Sequence, residues 1–121
     1  MIDPGTKACI AYVAGRLLSG KQATSIYDHS QGKHVLFSGT LDQRTVNVYD
    51  HARSCHFGGT GDGRTFNLFD YGGSHHVSLA LERAQFSGYD YGSSSHFSGT
   101  LSGNALSVYD HGAGEHTQYT I

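Results

Sequence analysis

The chain has 121 residues, of which 37% are hydrophobic and 15% charged, against about 45–50% and about 25% in an ordinary domain. The shortfall is filled by 17 Gly and by Ser and Thr, with no Trp and one Pro, which argues against a helical enzyme with a large core. A 12% aromatic share at net charge −2 argues against disorder, and 8 Lys+Arg against 10 Asp+Glu leave no basic patch for nucleic acid.

The first apolar stretch, Ala8 to Ala14, has no charged leader before it and no clear cleavage site after it. It is also far short of the roughly 18 apolar residues of a membrane span. A cytoplasmic location without a membrane span is the expectation. Lys7 to Gly20 carries Ala8, Ala11, Tyr12 and Leu18 at helical spacing, so it predicts an amphipathic helix of about three turns that stops at Gly20. Cys9 and Cys55 occupy dissimilar contexts and are expected to be free buried thiols. Gln22 to Tyr27 leads from the helix into a repetitive stretch, so the chain divides into a helical segment, 1–26, and a repeat domain, 27–121.

The repeat is carried by Tyr27-Asp28-His29, Tyr49-Asp50-His51, Phe69-Asp70-Tyr71, Tyr89-Asp90-Tyr91 and Tyr109-Asp110-His111, at steps of 22, 20, 20 and 20 residues. Six residues after each Asp stands a histidine: His34, His56, His76, His96 and His116. Within a repeat, Phe97, Gly99 and Leu101 alternate with Ser98 and Thr100 before Gly103-Asn104, and Leu106 and Val108 alternate after it. Period two broken by a turn means strands. The third copy, Val77 to Asp90, departs from the pattern through Leu79-Ala80-Leu81-Glu82-Arg83 and is a candidate for a locally different strand or a contact surface. The two extra residues of the first step are expected in a loop between Asp28 and Phe37, which makes His34 the least secure member of its set.

Ten short strands predict an all-β fold. The strict length of 20 favours a β-solenoid with one coil per repeat, closed at its N-terminal end by the helix as a cap. The Ser-Gly-Thr-Leu-Ser-Gly-Asn phrasing of 98–104 resembles parallel β-helices in general. The alternative is an antiparallel meander of hairpins, flat or rolled into a barrel, in which Leu101 would face Leu106 and Gly99 would face Val108.

Asp28, Asp50, Asp70, Asp90 and Asp110 read first as Asx turns, each carboxylate accepting backbone N–H bonds from the residues after it. A metal array of Asp with the phased histidines is the sharper reading. Only three copies hold the full Asp-His-x4-His set, so neither a metal nor any other cofactor is expected. Pairing of each Asp with a phased histidine is a further expectation, with a response between about pH 5 and 7, where histidine titrates. Tyr27, Tyr49, Phe69, Tyr89 and Tyr109 suggest a ladder of stacked rings, or a platform for sugars. No Gly-x-Ser-x-Gly, Walker or His-Glu-x-x-His motif occurs, so no catalytic residue is assigned. The expected function is a non-catalytic structural or interaction protein. A C-terminal strand edge at Thr117, Tyr119 and Ile121, without Lys, Arg or Pro to block it, would pair with a second copy or a protein partner. The alternative is a carbohydrate or small-ligand module that uses the repeated Tyr/His surface.

Overall fold

A computed structural model describes residues 1–121. Helix α1 (Pro4–Ser19) is followed by ten strands: β1 (Ser25–Asp28), β2 (Lys33–Leu41), β3 (Thr45–Asp50), β4 (Cys55–Gly61), β5 (Thr65–Asp70), β6 (His75–Glu82), β7 (Gln85–Asp90), β8 (Ser95–Ser102), β9 (Ala105–Asp110) and β10 (Glu115–Thr120). Each strand pairs antiparallel with its chain neighbours, and β10 pairs with β1 to close the barrel. The expected register is present, with Leu101 opposite Leu106 and Gly99 opposite Val108.

The solenoid expectation is therefore corrected to a closed meander barrel. Both connections in each repeat reverse the chain, so neighbouring strands run antiparallel and no coil stacks on the next. The constant spacing has another cause. Each phased Asp must reach the same barrel mouth, facing inward, and a one-residue change in a strand would turn its whole side-chain set to the other face. The two extra residues of the first step lie in β2, which has 9 residues where β4 has 7, and not in a loop. An even insertion preserves the alternation, and His34 faces Tyr27 as His56 faces Tyr49.

The helix is not an end cap. It threads the lumen, and Ala8 to Ala14 are at most 1% exposed. Its sequence is apolar on all sides, as a helix enclosed by a sheet requires, and not on one stripe. Asp3 caps its start, its carboxylate accepting from Gly5 and Thr6 N–H groups, and Gly20 ends it in the left-handed region at φ 72°. Ala, Cys and Gly keep the helix narrow. Tyr12 is the large exception: its ring stacks on Phe37 at 4.1 Å and its hydroxyl donates to the Ala23 carbonyl at 2.7 Å. The helix and inward residues such as Phe57, Phe66, Leu68, Phe97 and Leu106 form one core, so the helix is part of the barrel's interior.

The barrel wall narrows through glycine. Phe86 lies opposite Gly99 and Phe97 opposite Gly88, so each ring covers a residue without a side chain. The C-terminal strand is not an edge. Tyr119 pairs with Leu106 on one side and Asp28 on the other, Thr117 and Tyr119 are buried, and Ile121 packs half-buried against the core. The association edge expected at Thr117, Tyr119 and Ile121 is thus taken up in part by closure, with β1 pairing at Tyr119 and Thr120. No helix is long and apolar enough to cross a membrane.

Candidate functional site

The strands that end in each aromatic–Asp pair place chemistry on two surfaces, the lumen mouth and the outer wall. Residues alternate in direction along a strand. Each Asp points in, and the aromatic before it and the residue after it point out.

At the mouth, one carboxylate oxygen of each Asp ties its own loop, as an Asx turn requires. Asp50 Oδ1 accepts from Ala52 and Arg53 N–H, Asp70 Oδ1 from Gly72 and Gly73, and Asp110 Oδ1 from Gly112 and Ala113, at 2.9–3.3 Å. Asp28 Oδ1 accepts from Ser30 and Gln31, and Asp90 Oδ1 from Gly92. In three of these residues the second oxygen meets the helix or the residues leading into it. Asp110 Oδ2 accepts from Ile2 N–H at 2.8 Å, Asp70 Oδ2 from the Thr6 hydroxyl, and Asp50 Oδ2 from the Cys9 thiol at 3.5 Å. Carboxylates thus surround the end of the helix where its dipole is positive.

Cations complete the mouth. Arg53 reaches in from the β3–β4 loop and donates to Asp50 at 2.8 Å and to Asp70 at 3.1 Å. Burial works against the Arg53 charge, but its bonds to the two carboxylates outweigh it and hold the guanidinium firmly protonated. Burial would likewise raise the Asp70 pKa. Hydrogen bonds from Thr6 and Arg53 overcome it and keep the carboxyl below its usual range. Asp110 is lowered in the same way, its burial offset by the N–H groups of Ile2, Ala113 and Gly112. Burial pushes the Cys9 thiol well up, with Arg53 pulling back. His75 sits between Asp70 and Asp90, its Nδ1 2.9 Å from Asp90 Oδ1 without the alignment of a hydrogen bond. The buried Lys7 ammonium donates to Thr117 Oγ1 at 3.1 Å. These contacts tie the mouth loops, and those of Asp50, Asp70, Arg53 and Lys7 also seat the helix.

The expected Asp–His pairing does not form for the phased histidines. His34, His56, His76, His96 and His116 stand on the outer wall while the aspartates face the lumen, so the sheet itself separates them. The Asp-His-x4-His ligand set is divided in the same way. The histidine that does meet the aspartates is His75, one residue before His76 and therefore on the inner face. Sequence reading missed it, together with Arg53, Thr6 and Lys7, because only closure brings their elements to one mouth.

Outside, the expected ladder of stacked rings is replaced by five separate clusters. Successive phased aromatics lie two strands apart, about 9–10 Å at about 4.8 Å per strand, which is too far for stacking. Each packs between two other rings instead, edge-on in every pair but Tyr109–His116, which is tilted. Tyr27 meets His29 and His34, Tyr49 meets His51 and His56, and Phe69 meets Tyr71 and His76, with centroids 4.8–5.1 Å apart. Tyr89 meets Tyr91 and His96, and Tyr109 meets His111 and His116, at 4.5–4.7 Å. In three repeats the histidine after Asp also bonds a hydroxyl on the neighbouring strand: His29 to Thr120, His51 to Ser38 and His111 to Ser98, at 2.8–3.0 Å.

The belt is uneven at one place. Across the outside of β6–β9 the outward residues are small, including Ala80, Ser87, Ser98, Thr100 and Ser107, and a groove of about 370 Å³ runs over them. Tyr109 and His116 stand at its belt end, and Arg64, Glu82 and Gln85 at the other. A second hollow, lined by Tyr89, His96 and His111, shares Ser87 and Ser98 with it. Glu82 belongs to the aberrant third repeat, whose altered sequence marked this stretch as a contact surface. Tyr109 and His116 belong to the repeat motif, and the remaining groove residues become their neighbours through the register of β6 to β10. Comparison with protein families, curated proteins and solved structures gives no match.

Proposed function

We propose that the protein is a non-catalytic binding module that takes a carbohydrate, or a small ligand of similar hydroxyl density, in the outer groove. The observation that carries this reading is the convergence of a phenol (Tyr109), an imidazole (His116), a carboxylate (Glu82) and a guanidinium (Arg64) around a floor of serine and threonine hydroxyls. Sugars present alternating hydroxyls and C–H faces. A tyrosine ring with planar polar side chains answers both, since the ring packs against C–H and the polar groups accept and donate. A volume of about 370 Å³ lies within the range of small-ligand clefts, about 300–1,000 Å³. The phased aspartates take no part, because their oxygens face the lumen and hold loops and helix. Two free cysteines are in keeping with a reducing compartment.

Association with a second copy through a strand edge, the other expectation, would have to compete with the pairing of β1 to Tyr119 and Thr120. A glycan array with the wild-type protein and Tyr109→Ala tests the groove. Wild type should bind a restricted set of saccharides and the variant should lose them. Failure of the wild type to bind any saccharide, or unchanged binding by Tyr109→Ala, refutes the reading.

A further inference from the structure

We infer that His96 and His111 form a two-histidine site for a divalent transition-metal ion that favours nitrogen ligands, with copper(II) the tightest. The register of β8 and β9 carries the inference. Phe97 pairs with Asp110, and one step further the His111 N–H donates to the His96 carbonyl at 3.0 Å, which sets the two histidines directly opposite each other. Directly opposed residues of an antiparallel pair send their side chains to the same face, with Cβ atoms about 4.5–5.5 Å apart. Two imidazoles on such a base can converge on one ion at the usual metal–nitrogen distance of about 2.0–2.1 Å. Both side chains are exposed and line the same hollow, so water can fill the remaining coordination positions.

The same position in the other four repeats provides the contrast. The residue after each Asp faces Gln118 at His29, Leu36 at His51, His56 at Tyr71 and His76 at Tyr91. Two imidazoles meet only in the last repeat. The hydroxyl of Ser98 lies 3.0 Å from His111 Nε2. With Nε2–H donating to that oxygen, the ring is oriented and the Nδ1 lone pair is left for the metal, as an outer-shell partner does in metal sites generally. His96 rests edge-on against Tyr89, with centroids 4.6 Å apart, and gives up only that contact on turning to the ion. Copper(II) leads the affinity order for such ligands, ahead of nickel(II) and zinc(II).

The test is a copper(II) titration of the full chain near pH 7.5, where imidazole is neutral, read by calorimetry and by electron paramagnetic resonance. Wild type should bind one tight equivalent with two nitrogen ligands in the resonance spectrum. His96→Ala and His111→Ala should each weaken that equivalent by about tenfold or more. His56→Ala, at a position opposed by Tyr71 where His96 is opposed by His111, should leave it unchanged. His96→Gln and His111→Gln repeat the test with side chains that keep the wall polar. Wild-type affinity in a variant at either position, or an equal loss in His56→Ala, overturns the site.

Discussion

Asp70 shows what the lumen demands of a carboxylate. One oxygen holds the loop after it, and the other takes the Thr6 hydroxyl and the Arg53 guanidinium. Those bonds favour the charged form by more than burial disfavours it, and the same balance holds at Asp110. A carboxylate whose pKa is lower folded than unfolded adds stability above the unfolded value, about 3.9, and loses it as the pH falls through the folded value. The melting temperature should therefore hold between about pH 7 and 5 on this account and fall steeply below about pH 4. Replacing Asp110 by Asn should flatten that acid limb. A melting temperature unchanged down to about pH 2.5 would show that neither carboxylate is better bound in the fold than in the open chain.

Among the elements, the pairing of β7 with β8 is sensitive to volume. A methyl group added at Gly99 would run into the Phe86 ring and the Ser107 carbonyl, and the backbone has no flexible neighbour to move aside. Gly99→Ala should lower stability by about 1–3 kcal/mol, as overpacking does in cores, and a shifted denaturation midpoint at unchanged slope would record it. A neutral result would mean that the Phe86 ring does not cover Gly99. The helix shows the complementary rule. Its small residues let it pass through the lumen, and its apolar character on every side comes from having sheet on every side. A sequence pattern that counts apolar positions along the helix detects the element. It does not detect the enclosure.

For the whole molecule, closure bears on how the C-terminal strand can associate. β10 pairs with β9 along its whole length and with β1 at Tyr119 and Thr120, so the end of the C-terminal strand is taken up within the chain. Tyr119, 1% exposed, points into the lumen, where burial and the nearby Asp28 keep its phenol protonated. Tyr119→Lys would place an ammonium in that interior. The variant should unfold at markedly lower denaturant, by several kcal/mol for a buried unpaired charge, while its elution volume in size exclusion stays that of the wild type. Dissociation of a larger species into monomers would instead restore an open edge and contradict closure.

The local features were legible in the sequence. The five repeats, period-two strands, turns, Asx loops and N-terminal helix all rest on interactions within a few residues, and local pattern records those. The opposition of Leu101 to Leu106 is set by one turn and could be read in the same way. What joins distant elements was not legible. Whether the repeats coil or reverse, whether the last strand meets the first, and whether the helix covers an end or fills the lumen depend on strand direction and stagger summed around the whole wall. Those choices placed the phased aspartates inside and the phased histidines outside, separating two sets that the spacing had suggested as partners. They also brought Arg53, Thr6 and His75 to one mouth, and Glu82 and Arg64 to one groove with Tyr109. Sequence period assigns alternate residues to opposite faces, and only a closed barrel decides which face becomes the interior.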